Sequence, residues 1–380
     1  MRVLHCPHNI TGNPAQLARA ERELGLDSWS VTFTRHPFGY LADETLLQPG
    51  QSKFALEKQR WRLLWRAVRA YDVIHFNFGA TIMPMPNDHI PPGYPLPLRL
   101  AYNTYANLLH LRDLPLLKRL GKGIAITYHG DDIRQGDYCR EHFAITFADE
   151  VEPGYYTPES DAQKRRDAAY VALYADRLYA LTPDLLHFLP PHAAYLPTAS
   201  FDPREWHPVR TSKAAHEPLI ILHAPSHRGV KGTKYVVAAV ERLKAEGLNV
   251  ELLLIENMSH AEARAAYARA DLLVDQLLAG WHGVLAVELM ALGKPVVCYL
   301  RDKDLAYLPA PMRADLPIIN ATPDSIYDVL KLWVTERRAE LPEVGRRGRA
   351  YVERWHDPLQ IAARLKADYE AMIAPKQSKS

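Results

Sequence analysis

The stretch Gly280-Trp281-His282-Gly283-Val284-Leu285-Ala286-Val287-Glu288-Leu289-Met290-Ala291-Leu292-Gly293-Lys294-Pro295-Val296-Val297 decides how this chain is read. It predicts a glycine turn, an apolar helix and a short apolar strand. Val284, Leu285, Val287, Leu289 and Leu292 cover most of the helix surface, Gly293 is a natural C-terminal stop, and Pro295 opens a run to Leu300 that reads as a buried parallel strand. Glu288 is the one carboxylate in that helix, and a buried charge without a partner is costly. Helical Cα–Cβ bonds lean toward the N-terminus, so Glu288 aims back at the turn around Gly283. Free backbone N–H groups collect there and favour an anion. A carboxylate acceptor beside an anion cradle suits a nucleotide, with ribose hydroxyls for Glu288 and phosphates for the amides. Capping of a neighbouring strand, or pairing with a core Arg, explains the same residue equally well.

Outward from this stretch the C-terminal half alternates strongly. Strands are expected at 219–224, 250–255 and 272–275, with helices at 233–246 and 260–270. Short apolar strands separated by helices of ten or more residues imply right-handed crossovers and a parallel sheet covered on both faces. The N-terminal half alternates less regularly, with strands expected at 3–6, 29–33, 73–76, 124–128, 176–181 and 193–196 and helices at 14–24 and 56–70. The proline-rich stretch 81–94 is a long irregular loop, of a kind that is often functional. We therefore expect an α/β protein with two Rossmann-like domains: residues 1–200, a linker at 201–217, a second domain at 218–355, and a terminal helix and tail at 356–380.

Composition bounds the function. The 380 residues suffice for two cores, and 48% apolar with 24% charged residues is ordinary for a globular chain. A net charge of +2 gives no global attraction to nucleic acid. Cys6, Cys139 and Cys298 lie far apart without metal-type spacing, which fits a reducing cytosol. No secretory signal or bilayer-spanning run is evident. The expectation is a cytoplasmic protein, with contact to a membrane surface left open.

Three further segments place polar groups after strands. Ala224-Pro-Ser-His-Arg228-Gly-Val-Lys231-Gly-Thr233 offers two cations where doubly wound folds bind ligands, although it is not a Walker loop. Thr127-Tyr-His129-Gly-Asp131-Asp132 offers a donor to a sugar or phosphate and an acceptor or base, or else a solvated turn with a capping Asp. Thr11-Gly12-Asn13-Pro14 could admit a sugar or phosphate, or simply make the turn. The basic segment from Lys58 to Arg69, with Trp61 and Trp65, reads either as an amphipathic helix on anionic lipid or as a domain helix with its tryptophans in the core. The second is the expectation.

These residues resemble the retaining glycosyltransferases of family 4. The match is carried by Lys231-Gly232, by Asp271-Leu-Leu-Val, and by Gly280 to Gly283 followed by Glu288-Leu-Met-Ala-Leu-Gly293-Lys-Pro295-Val. Asp72-Val-Ile-His75, Thr127-Tyr-His129-Gly130 and Tyr195-Leu-Pro197 with Trp206-His-Pro208 agree more loosely. The resemblance implies a GT-B fold, with parallel sheets facing across a cleft and the C-terminal helix packing back toward the N-terminal domain. It implies that Glu288 binds a ribose, that Lys231 and Arg228 neutralise a diphosphate, and that the N–H groups of Gly283, Val284 and Leu285, after His282, hold phosphate or sugar oxygens. His129 would touch the transferred sugar, and Gly12 with Asn13 would admit the donor. Asp131 stands on the acceptor side. The family usually carries a second Glu at the place of Gly280, and its usual basic residue lies further ahead of the Lys-Gly than Arg228 does. Asp275 is a substitute acceptor or a cap.

The implied reaction moves a sugar from a nucleotide diphosphate-sugar to a glycan, lipid-linked or small-molecule acceptor, with retention, without a metal and without a cofactor beyond the donor. No nucleic-acid partner is expected. A nucleotide-sugar epimerase of the same architecture and a non-catalytic nucleotide-sugar-binding or scaffold descendant remain as alternatives. A dehydrogenase is disfavoured, because no Gly-x-Gly-x-x-Gly follows a strand.

Overall fold

The computed structural model describes residues 1–35, 39–86, 90, 93–209, 217–256, 258 and 260–377. In chain order the first half contains β1 (Arg2–Cys6), α1 (Asn13–Glu23), β2 (Asp27–Thr32), β3 (Glu44–Thr45), α2 (Lys53–Ala70), β4 (Val73–Asn77), α3 (Leu96–Leu109), α4 (Asp113–Arg119), β5 (Gly123–Tyr128), α5 (Gly136–His142), α6 (Pro158–Ala172), β6 (Arg177–Ala180) and β7 (Ala194–Tyr195). The second half contains β8 (Leu219–His223), α7 (Arg228–Lys231), α8 (Thr233–Ala245), β9 (Val250–Leu254), α9 (His260–Tyr267), β10 (Leu272–Val274), α10 (Val284–Ala291), β11 (Val296–Cys298), α11 (Ala310–Asp315), β12 (Ile319–Asn320), α12 (Ile326–Val334), α13 (Leu341–Trp355) and α14 (Pro358–Gln377).

Two sheets result, ordered β3-β2-β1-β4-β5-β6-β7 and β12-β11-β10-β8-β9. Every pairing is parallel. Strands β4, β5 and β8 are buried along their whole length, as expected where helices cover both faces. In the first sheet one face packs on Leu63 and Leu64 of α2, Leu114 and Leu117 of α4 and Val171 of α6. The other face packs on Leu17 of α1 and on Ile361, Leu365 and Tyr369 of α14. The last helix thus leaves the second sheet and closes the core of the first. The Tyr369 hydroxyl lies 2.6 Å from Nδ1 of His75 and donates to Glu21 at 3.1 Å, and Lys366 donates to the Leu24 carbonyl.

Several elements depart from the sequence reading. Helix α13 was not anticipated, and it carries Gly345 and Gly348, residues of low helix propensity. The glycines have a packing role: a Cβ on Gly345 would stand 2.0 Å from the Gly293 carbonyl oxygen, and one on Gly348 would stand 3.1 Å from Met290. Helices α3, α6 and α12 and the two-residue edge strands β3 and β12 were also unread. The tail expected from Pro375 onward remains helical through Gln377. Of the linker expected at 201–217, residues 210–216 lie outside the described residues, as do parts of the 81–94 loop. The expectation of core tryptophans in α2 is overturned: Trp61 and Trp65 are 48% and 59% exposed.

Candidate functional site

Parallel sheets bind ligands outside the carboxyl ends of their strands, where strand order reverses. In the first sheet that point lies between β1 and β4, and in the second between β8 and β10. The loop after β1 carries Gly12 and Asn13. The loop after β8 carries Arg228 and Lys231, and the loop after β10 runs from Asp275 to Gly283 into α10. Topology alone therefore selects most of the residues that the sequence had singled out.

The wall built by the second sheet is ionised. Lys231 ends the short α7, and its Nζ donates to Asp275 Oδ1 at 2.9 Å. The other oxygen of Asp275 accepts the Gly283 N–H at 2.6 Å. Burial alone would raise the Asp275 carboxyl, but Lys231 and the Gly283 amide outweigh it and hold the group below the usual carboxylate range. Asp275 thus holds the Gly283 amide ahead of α10 and balances the lysine. Glu288 is 3% exposed, about one turn along α10. Tyr40 and Tyr267 both have phenols raised by burial and then by the Glu288 carboxylate, which brings the three groups together. His282 donates from Nδ1 to the Gly283 carbonyl at 3.3 Å. Burial lowers its pKa to about 4, so it is neutral at physiological pH, and its buried Nε2 has no hydrogen-bond partner among the described residues. Arg228 sits further out, 63% exposed, in a two-point pair with Glu256.

Gly280 has a structural reason. It adopts φ +82°, and a Cβ there would stand 2.5 Å from Nη1 of Arg301. That guanidinium donates to Asp304 and to the Ile145 carbonyl and lies over the Phe143 ring at 3.7 Å. Asp304 in turn lies 2.8 Å from Nε2 of His187. An arginine that binds the two halves together therefore occupies the place where the resembling family carries a carboxylate. Trp281 is core, 1% exposed and packed near Tyr195.

The wall built by the first sheet is largely neutral. Gly12 has φ +74°, and a Cβ on it would meet Tyr40 Cδ1 at 3.2 Å. Tyr40, from the β2–β3 connection, therefore stands against Gly12 on one wall and within electrostatic reach of Glu288 on the other. Asn13 is buried, and its Oδ1 accepts the Ala199 N–H at 2.7 Å while Nδ2 has no partner. His129 follows β5, with Nε2 at 3.4 Å from Asn77 Oδ1 and its ring edge-on to Phe78. Burial lowers its pKa to about 3, so it meets a ligand as an uncharged imidazole. Asp131 accepts 2.5 Å hydrogen bonds from the Tyr155 and Tyr156 hydroxyls, one on each oxygen, and Arg134 lies 3.7 Å away. The turn-capping role belongs to Asp132, which accepts the His129 and Gly130 N–H groups.

The walls are held close beside this crevice. Glu150 pairs with Lys234 and accepts from Tyr235, and Glu152 meets His227. Phe147 and Tyr156 share an apolar cluster with Leu278 and Ala279. A separate surface pocket lies at the amino ends of β8, β10 and β11, lined by Leu219, Asp271, Pro295 and Arg346. Among the described residues, no three His, Cys, Asp or Glu side chains are placed to hold a metal ion. Tyr40 and the Arg301–Asp304–His187 chain were not found from sequence, because nothing local marks residues that matter only across a domain junction.

Against known structures the whole chain finds counterparts. Sucrose-phosphate synthase from Thermosynechococcus elongatus superposes with a TM-score of 0.61 at 16% identity, covering 98% of this chain and 99% of that one. The fold is GT-B. HepE from Anabaena, solved in complex with UDP, gives 0.57 at 12% identity, covering 98% of this chain and 100% of that one. A glycosyltransferase from Rickettsia africae gives 0.58 at 9% identity, covering 98% of each chain. No family model and no curated protein matches the sequence.

Proposed function

We propose that this GT-B protein is a glycosyltransferase that takes a sugar from a nucleotide diphosphate-sugar, with retention and without a metal. One observation carries the reading: Glu288, the first turn of α10, Lys231 and Gly12 converge on one crevice, with Tyr40 against Gly12 and within electrostatic reach of Glu288. The complexes of Anabaena HepE with UDP and with UDP-glucose support a nucleotide-sugar donor.

In this reading Glu288 accepts from the ribose hydroxyls. The first-turn amides of α10, at Val284 and Leu285, receive the phosphates, because helix-start N–H groups lack intrahelical acceptors. Lys231 has protons to spare beyond the one given to Asp275, so one ammonium can bridge carboxylate and phosphate. The pair brings no net charge, and Arg228 supplies more. Its pair with Glu256 is solvent-exposed and screened, so the arginine can be recruited to a ligand. These donors stabilise the charge that develops as the diphosphate departs. His129, neutral, hydrogen-bonds the transferred sugar, and the Gly12–Asn13 turn leaves room for the donor. Asp131 orients Tyr155 and Tyr156 on the acceptor side.

A thermal-shift titration with UDP, GDP and their sugars, followed by product analysis with candidate acceptors, tests the proposal. A ligand that binds only the folded state raises the melting temperature. No shift with any nucleoside diphosphate sinks it. The filling of the Gly280 place by Arg301 favours a second reading, a nucleotide-sugar-binding protein that does not transfer; binding with neither transfer nor donor hydrolysis selects it.

A further inference from the structure

Helices α2, α3 and α4 present a surface that the proposed transfer reaction does not use. On α2 the inward positions Leu63, Leu64 and Ala67 belong to the core. The outward stripe is Phe54, Lys58, Trp61, Arg62, Trp65 and Arg69, all exposed. On α3, Tyr102 and Ala106 are buried, so Leu100 and Leu108 point out, 57% and 66% exposed. Leu116 and Leu120 continue the apolar surface at α4. The helices are fixed side by side: Trp61 donates from Nε1 to the Tyr105 hydroxyl at 2.9 Å, and Tyr102 and Tyr105 donate to Glu57. Large exposed apolar side chains in one contiguous patch mark an interaction surface.

The charges are of one sign. Helix α2 carries six Lys or Arg residues against one acid, Glu57, which is taken up by Arg60 and the two tyrosines; Arg60 is buried and Arg66 pairs with Glu44, so Lys58, Arg62 and Arg69 are the cations of the outward stripe. Helix α3 has Arg99 and no acid, and α4 has the exposed Arg119 with only the buried Asp113, its Lys118 being paired with Asp176. Arg112 adds a further exposed cation. The whole chain balances 46 basic against 44 acidic residues, so this one-signed face is a local concentration. Two copies of a cationic face repel each other, which disfavours self-association here. Tryptophan and leucine projecting among Lys and Arg match the layered chemistry of an anionic bilayer: apolar tips enter the acyl boundary while cations stay with the phosphates.

We propose that the α2–α3–α4 face docks this protein onto anionic lipid bilayers. Helix α2 runs antiparallel to the strands it covers, so its N-terminus, with Phe54, lies at the sheet edge where the crevice opens. Docking does not depend on the transferase reading and stands or falls separately from it.

The test is co-sedimentation of the full chain with phosphatidylcholine vesicles, with and without phosphatidylglycerol, at low and high salt. Binding is expected only with phosphatidylglycerol and is weakened by salt. The double variant Lys58→Glu/Arg62→Glu is expected to lose at least about tenfold in partitioning. The double variant Trp65→Ser/Leu100→Ser is expected to lose binding at both salts, while its melting temperature stays within a few degrees of wild type. Bromolipid quenching of tryptophan fluorescence in the wild type, reduced in the Trp65 variant, would report insertion. No sedimentation with anionic vesicles, equal sedimentation of the charge-reversed variant, or a dimer lost in the Trp65→Ser/Leu100→Ser variant without vesicle binding would each overturn the proposal.

Discussion

The two walls of the crevice differ in how they carry charge. The wall of the second sheet holds ionised groups in fixed pairs: Lys231 with Asp275, and Glu288 beside two phenols. The wall of the first sheet meets it with a glycine, an amide, a neutral imidazole and a tyrosine, and its carboxylates Asp131 and Asp132 are occupied by Tyr155 and Tyr156 and by the His129 and Gly130 amides. The difference follows from what each wall must tolerate. Charges already paired by rigid backbone need no reorganisation when an anion arrives. Neutral groups can sort hydroxyls by hydrogen-bond geometry without attracting counter-ions. A bound nucleotide sugar would therefore lie with its charged end on the second wall and its sugar against the first.

The strongest way to break this comparison is to uncouple the lysine. Lys231→Met leaves Asp275 buried with only the Gly283 amide, and the expected loss is about 3–5 kcal/mol of stability by denaturant unfolding. Adding Asp275→Asn should restore a substantial part of it. If the single variant is as stable as wild type, the pairing is not structural. Loss of nucleotide binding in the double variant would assign Lys231 to the ligand as well as to the fold.

Restoring the family's acid is the next test. Gly280→Glu should destabilise rather than improve sugar selection. A left-handed φ costs a non-glycine residue about 1–2 kcal/mol, and the new side chain collides with Arg301. A melting temperature unchanged from wild type would show that the Arg301–Asp304 latch yields easily.

Glu288→Gln should weaken UDP binding about 10–100-fold in calorimetry, the scale of one or two hydrogen bonds to a charged acceptor. Equal affinity for UDP would move the ribose away from the second wall. Gly12→Ala should cost about 1–2 kcal/mol through its left-handed φ and its approach to Tyr40. Donor affinity that falls further than stability would place the donor in that turn.

The smallest effects concern pH. His129 and His282, with pKa values near 3 and 4, stay neutral, so neither should introduce a step in kcat/KM between pH 5 and 8. Asp275 is held below its ordinary range, so its contribution is complete above the unfolded value of about 3.9 and fades as pH falls through the depressed one. The stability gap between wild type and Asp275→Asn should accordingly be flat at neutral pH and shrink only in acid. A gap that closes between pH 7 and 5 contradicts the pairing.

How legible each part was depended on how local its cause is. Helix α10 and its strand could be read because continuous apolar runs bounded by Gly293 and Pro295 have few alternatives. Helix α13 could not, because its glycines are explained only by the backbone of Gly293 lying against them. Glu288, Lys231 and Gly12 were legible as candidates from type and position. The commitment of Asp131 to two tyrosines twenty-four and twenty-five residues away was not. The tryptophans of α2 were misjudged for a related reason: a helix flanked by arginines fits a core or a surface equally well until the sheet fixes which side faces in.

The sequence by itself determined two parallel α/β layers and the strand ends from which a site would be built, because hydrophobic period and glycine punctuation act over a few residues. Only the tertiary structure decided which charges are already paired, why Gly280 must lack a side chain, that Tyr40 stands between the two walls, and that Trp61 and Trp65 face outward. Those outcomes depend on contacts between segments far apart in the chain, whose distances no local pattern encodes.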